Sequence, residues 1–192
     1  MSPFASRTRP ALRRLARLAA AALLLAPAAA AAQAKSRPLT EPEVKAAFLY
    51  NFARFVQWPG SELSLRVDLC VVGGDPFGGA LRTIEGKPLG QAAALLVRRV
   101  DPGALSGCNL VFIPASEKDR LGQVLQAAKG GRLLTIGDGP DFAQSGTVIG
   151  LYPDGNTIRF EINVDAARRS RLAISSQLLR LARITHDRNA TP

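Results

Sequence analysis

Two cysteines, one histidine, one tryptophan, one methionine and two tyrosines are spread over 192 residues. That scarcity excludes whole classes of chemistry. Two isolated cysteines and His186, close to the C-terminus, do not make the ligand set of a zinc site. There is no G-x-S-x-G elbow and no H-E-x-x-H pair, so the common hydrolase and metalloprotease arrangements are absent. Long apolar runs are missing everywhere except near the N-terminus.

Glycine is plentiful, yet its spacing is wrong for phosphate. In LCVVGGDPFGG, residues 69–79, the glycines fall at 73, 74, 78 and 79. A dinucleotide fingerprint needs G-x-G-x-x-G, and a Walker loop needs G-K-[ST] after four intervening residues. Asp75 also stands where an anion would approach. Asp75-Pro76 reads instead as a helix N-cap followed by proline at the first helical position, a structural turn rather than a nucleotide site. Two carboxylate pairs, Glu117 with Asp119 and Asp138 with Asp141, fall at expected helix starts, where capping is the simpler role. No catalytic residue, metal ligand or cofactor site is assigned, and the chain is read as a non-enzyme.

What is present begins with the N-terminus. Residues 1–17 carry five arginines and no acid. LAAAALLLAPAAAAA follows, ending in Ala32-Gln33-Ala34. A basic region, an apolar region and an A-x-A site form a secretory signal peptide, residues 1–34. Arg13-Arg14 leaves twin-arginine export open, and an uncleaved anchor is the other alternative, although the apolar run is short of the ~20 residues a span needs. Cleavage after Ala34 leaves 158 residues, one ordinary domain over 35–192, and takes the formal charge from +10 to +5. Export and mild charge together remove nucleic acid as a partner. No further span follows, so membrane insertion is not expected. In an oxidising compartment Cys70 and Cys108 are expected to pair.

Periodicity gives the elements. Thr40 and Glu43 have capping-box spacing, Pro42 suits the first turn, and Val44, Phe48, Phe52 and Val56 recur every four residues. This predicts a helix stopped by Pro59, with Trp58 at its end. Strands are expected at 65–72, 94–100, 109–114 and 132–137. A helix is expected from Ser116, as cap, to Lys129, and a short turn of helix over 141–144. Residues 147–152 and 157–162 flank Pro153-Asp154-Gly155-Asn156, a hairpin. NVDAARRSRLAISSQLLRLARIT is expected to be helical, with Asn163 as N-cap and a break near 173–175. The pattern is α/β: a single domain with a mostly parallel sheet, an antiparallel edge hairpin and flanking helices. Between Arg159 and Arg188 seven arginines face three acids. A solvated helix side is the plain explanation. An acidic protein partner or an anionic membrane face is the functional one.

The blocks KAAFLYNFARFVQWP, LCVVGGDPFG, GCNLVFIPASE, LLTIGDGPDFAQSG and IRFEINVDAARRSRLAISSQLLRLA resemble, in order, the YfiR (HmsC-like) family. The most specific are the aromatic helix ending in Trp58-Pro59, Phe160-Glu161-Ile162-Asn163, and Ile174-Ser175-Ser176-Gln177-Leu178-Leu179. The resemblance implies a periplasmic repressor. It would bind the sensor domain of an inner-membrane diguanylate cyclase and hold it inactive, lowering cyclic di-GMP and biofilm formation. It further implies an α/β fold, often a homodimer, and a structural disulfide at Cys70 and Cys108. A second cysteine pair of YfiR itself is missing: its block here carries Ser145 and Tyr152. Trp58, Glu161, Arg168, Arg169, Leu172 and Gln177 are the candidate partner-binding or interface-shaping residues. The alternative is a periplasmic small-ligand sensor acting on another membrane receptor, such as a histidine kinase.

Overall fold

Thr40 starts the first helix as its spacing predicts: the Glu43 carboxylate accepts from the Thr40 backbone N–H at 2.8 Å and from its hydroxyl at 2.9 Å. The computed structural model describes residues 37–58, 66–90 and 93–188, and Leu39–Pro192 form one compact unit. Helix α1 runs over Glu41–Phe55 and buries Ala46, Leu49, Phe52 and Ala53. It ends before Pro59, which lies outside the described residues, as does the signal peptide expected over 1–34. Extended pairing stops it: Val56–Gln57 (β1) pairs antiparallel with Ala173–Ile174 (β9), and the backbone N–H of Ser175 donates to Phe55 O.

The main sheet contains β2 (Arg66–Val72), β3 (Pro88–Leu89), β4 (Ala93–Val100), β5 (Leu110–Ile113), β6 (Leu134–Asp138), β7 (Ile149–Asp154), β8 (Thr157–Asn163) and β10 (Arg183–Thr185). Their order is β10-β8-β7-β6-β5-β2-β4-β3. From β4 through β7 every neighbour is parallel, and β7–β8 is the antiparallel hairpin. The expected α/β fold is therefore present, as a curled sheet. The hairpin strand runs to Asp154, so the loop is only Gly155-Asn156, with Gly155 at φ 59° in its first position. Glycine is favoured there because a positive φ costs it nothing.

The central strands are apolar on both faces because both faces are covered. On β2, Val67, Leu69 and Val71 enter the larger core beneath α1, whereas Cys70 and Val72 enter a second core. On β5, Leu110 and Phe112 face the first core, and Val111 and Ile113 the second. Helix α2 (Leu121–Ala128) closes that second side with Leu121 and Val124. The helix expected from Ser116 opens as a 3-10 turn, Ala115–Arg120, flanked by Pro114 rather than capped by Ser116. The segment 140–146 makes turns and no helix. There Phe142 packs against Gly137 of β6 so closely that a Cβ on Gly137 would overlap its ring.

The C-terminal region corrects the expectation most. In place of a broken helix, the chain forms α3 (Val164–Arg169), β9, α4 (Ser176–Leu179) and the edge strand β10. Strand β10 lies parallel to β8, with Arg183, Ile184 and Thr185 opposite Glu161, Ile162 and Asn163. This pairing spans some twenty residues of sequence, so local periodicity carries no sign of it.

Candidate functional site: the C-terminal arm and its helix face

Asn163 organises this region. It is fully buried, and its Oδ1 accepts from the backbone N–H groups of Asp165 and Ala166, both at 3.0 Å, which caps α3 as expected. Its Nδ2 donates to Ala143 O at 2.6 Å and to Asp187 Oδ1 at 2.8 Å. One side chain thus ties β8, α3, the turn before β7 and the C-terminal arm together. Asp187 is also bound by both terminal nitrogens of Arg169. The hydrogen bond from Arg169 holds the Asp187 carboxyl below the usual carboxylate range, against the opposing effect of burial, and Asn163 adds to it. A depressed folded value means that stability is present above the ordinary aspartate value of 3.8 and lost as pH falls through the folded value. Asp187→Asn is therefore expected to lower the melting temperature at pH 7, with the deficit shrinking in melts at pH 3. An equal deficit at both pH values would contradict this ionic role.

The other motif residues have structural positions. Phe160 meets Phe48 and Phe52 edge-on, at 5.5 and 5.1 Å between ring centres. Glu161 is 1% exposed. It lies over Gly150, the residue opposite it on β7, where a Cβ would come within 3.3 Å of its carboxylate. Its Oε2 accepts from Arg183 Nη2 at 2.6 Å and from Nε at 3.0 Å. That bond raises the Arg183 guanidinium further above its ordinary value. Arg183 also stacks on Tyr152, 4.4 Å from the ring centre. In the ISSQLL block, Ile174 pairs with Val56, the Ser175 hydroxyl caps α4 by accepting from Leu178 N–H at 3.2 Å, and Leu178 is core.

Of the six candidate partner residues, three are buried: Trp58 at 4%, Glu161 at 1% and Leu172 at 8%. These sit in the core. Gln177, Arg168 and Arg169 are exposed. Arg168 is exposed, with 79% of its side chain accessible and an ion pair to Asp165 at 3.5 Å. Arg169 is engaged by Asp187, so it is part of the arm's anchoring. Two apolar residues of the same C-terminal segment are also exposed: Leu181 at 70% and Ile184 at 46%. The sequence placed both in the helix expected over NVDAARRSRLAISSQLLRLARIT. Their position after α4 and on an edge strand turns them outward, and such exposure on an arginine-bearing face has the composition of an interface.

Other sites look structural. Phe77 N–H donates to Asp75 Oδ1 at 2.8 Å, so Asp75 caps the turn after β2. The crevice at the carboxyl ends of β2 and β5, where the chain switches sheet direction, is the usual ligand site of open α/β sheets. Here the Glu117 carboxylate lies against Gly73, where a Cβ would overlap it. Asp138 does not cap a helix. It ends β6 and bonds Lys45 at 2.8 and 2.9 Å. Burial alone would lower the Lys45 ammonium, but the bonds to Asp138 and Glu41 outweigh it and raise it. Asp141 adopts φ 68° and pairs with Arg188 at 3.4 Å. Cys70 and Cys108 are joined, with their Cα atoms 5.9 Å apart.

Residues 42–183 match the family described as YfiR/HmsC-like. The chain belongs to that family. Its members are periplasmic regulators of diguanylate cyclase signalling and act without catalysis. Among the described residues no helix is long and apolar enough to cross a membrane. Among solved structures, a conserved domain protein from Vibrio cholerae O1 biovar El Tor shares the fold at 12% identity and a TM-score of 0.53, covering 77% of this chain and 60% of that one. A domain from Streptococcus pneumoniae solved with L-Trp aligns at 9% identity and 0.46, over 62% and 55%. CD0873, a substrate-binding protein with adhesive properties from Clostridium difficile, aligns at 9% and 0.48, over 73% and 58%. This chain thus spans less than two thirds of each of these structures.

Proposed function

We propose that the protein is exported through residues 1–34, folds as residues 35–192 in the periplasm, and binds and inhibits the sensor domain of an inner-membrane diguanylate cyclase. Membership of the YfiR/HmsC-like family carries this reading. Gln177, Arg168, Leu181 and Ile184 support it, because they bring exposed apolar area and an exposed arginine into one C-terminal segment. Inhibition needs no catalytic group. It needs higher affinity for the inactive than for the active state of the cyclase. Against the alternative from sequence, a small-ligand sensor for another receptor, stands the Glu117 carboxylate lying on Gly73, where such ligands usually sit.

Deletion of the gene in a strain with an intact cognate cyclase is expected to raise cyclic di-GMP and biofilm. An unchanged level would overturn the repressor reading. On the purified protein, Leu181→Asp and Arg168→Glu are each expected to weaken binding to the cyclase's periplasmic domain by roughly tenfold or more, the loss of a well-placed interface residue. Both side chains are exposed, so the melting temperature should hardly move. Retained affinity in both variants would place the contact elsewhere. Arg169→Glu is a poorer probe, because it also breaks the bond to Asp187.

A further inference from the structure

The two halves of the disulfide differ in their surroundings. Cys70 is wholly buried in the second core beside Val72, Val111 and Ile113. Cys108 is 6% exposed and lines a cavity of about 500 Å³. Lys129 and Arg132 line the same cavity, with Trp58 and Leu133 on its apolar part. Arg98, on β4, lies over the Cys108 turn. Its Nη2 donates to Ser106 O at 2.5 Å and to Cys108 Sγ at 3.4 Å, and its Nε is 3.5 Å from Asp68 Oδ1. One cysteine thus lines a cavity that also carries Lys129 and Arg132, and the other is buried against Val72, Val111 and Ile113 with Arg98 opposite it on β4.

We propose that Cys108 is the exchanging half of this disulfide, and that the cavity admits a small anionic thiol of the glutathione class. The incoming thiolate attacks Cys108 Sγ and forms a mixed disulfide there. The Sγ–Sγ bond breaks, and Cys70 leaves with the electron pair and takes a proton from water. Attack on Cys70 is blocked by burial. A second thiolate can then attack the adduct's outer sulfur, releasing the oxidised thiol and leaving Cys108 as a thiolate beside Arg98. The net change is oxidation of two small thiols and reduction of one protein disulfide. Rate in such exchange depends on which sulfur is reachable and on local charge, and a neighbouring arginine favours the thiolate. In the reverse direction Cys108 is the first nucleophile during oxidative folding, and Cys70 resolves the adduct. This exchange would be the chemical entry point for any redox control of the repressor.

The test uses the full mature protein with glutathione, acid quenching, alkylation and peptide mapping. The adduct is expected on Cys108. Per thiolate, glutathione should exceed neutral 2-mercaptoethanol by roughly three- to fivefold, the size of one or two screened charge contacts. That ratio should fall towards one in Arg98→Gln and Arg132→Gln. Because it is a ratio within each variant, general loosening of the fold does not move it. An adduct on Cys70, equal rates for the two thiols in the wild type, an unchanged ratio in both variants, or exchange only under conditions that unfold the protein would each overturn the proposal.

Discussion

Replacing Cys70 and Cys108 together by alanine is expected to cost about 4 kcal/mol, the chain-entropy value for a loop of this length. The bond closes a separation of 38 residues, a segment that holds the turn after β2, the β3–β4 hairpin and the approach to β5. Opening it releases all of these in the unfolded state. For a domain near 150 residues each kcal/mol moves the melting temperature by roughly 2–4 °C, so the total shift should be about 8–16 °C. Alanine is the better replacement at Cys70, because a serine hydroxyl would be buried among apolar Val72, Val111 and Ile113. Circular-dichroism melts of the variant, and of the wild type with and without reductant, check this. The reduced wild type should follow the variant. A shift below a few degrees in both would mean that the two cores hold the loop without the bond. Cyclase binding should fall in proportion to the folded fraction and no further, because neither sulfur reaches the Gln177–Ile184 surface.

Local signals in the chain served the first two thirds of the fold well, for physical reasons visible in particular residues. The Thr40–Glu43 box, the apolar runs of β2 and β5, the Gly155 turn and the Asn163 cap are all decided by neighbours within four residues or by simple burial. The failures share the opposite cause. Leu178, Leu181 and Ile184 have helical spacing, but Arg183–Thr185 gains more from pairing with Glu161–Asn163 than from continuing a helix. Val56 fits the stripe of α1, yet Ile174 captures it as a strand. Long-range pairing overrides weak local preference in each case. The candidate site inherited this limit. Glu161 alternates with the inward Phe160 and Ile162, so the sequence suggests a solvent position. Its burial follows from β10 on one side and Gly150 on the other, neither of which is near in sequence. Leu181 and Ile184 were hidden in the reverse sense: a stripe that looked like core became surface.

Arg183→Gln should be nearly as costly as loss of the disulfide. It leaves the Glu161 carboxylate, 1% exposed, without its principal cation. Breaking a buried pair by removing one partner typically costs 3–5 kcal/mol, and the 57% exposure of the Arg183 side chain argues for the lower end, about 3 kcal/mol. Urea melts of the variant and of the wild type measure this. The double variant Glu161→Gln, Arg183→Gln should recover part of the loss, because two neutral amides can hydrogen-bond across the same gap. The same pair separates two roles for Glu161. If it only supports β10 and the arm, the double variant should regain cyclase binding along with stability. If the carboxylate itself is read by the partner, stability should return while binding stays lost. No recovery in the double variant would show that Arg183 acts through its stacking on Tyr152 and not through charge.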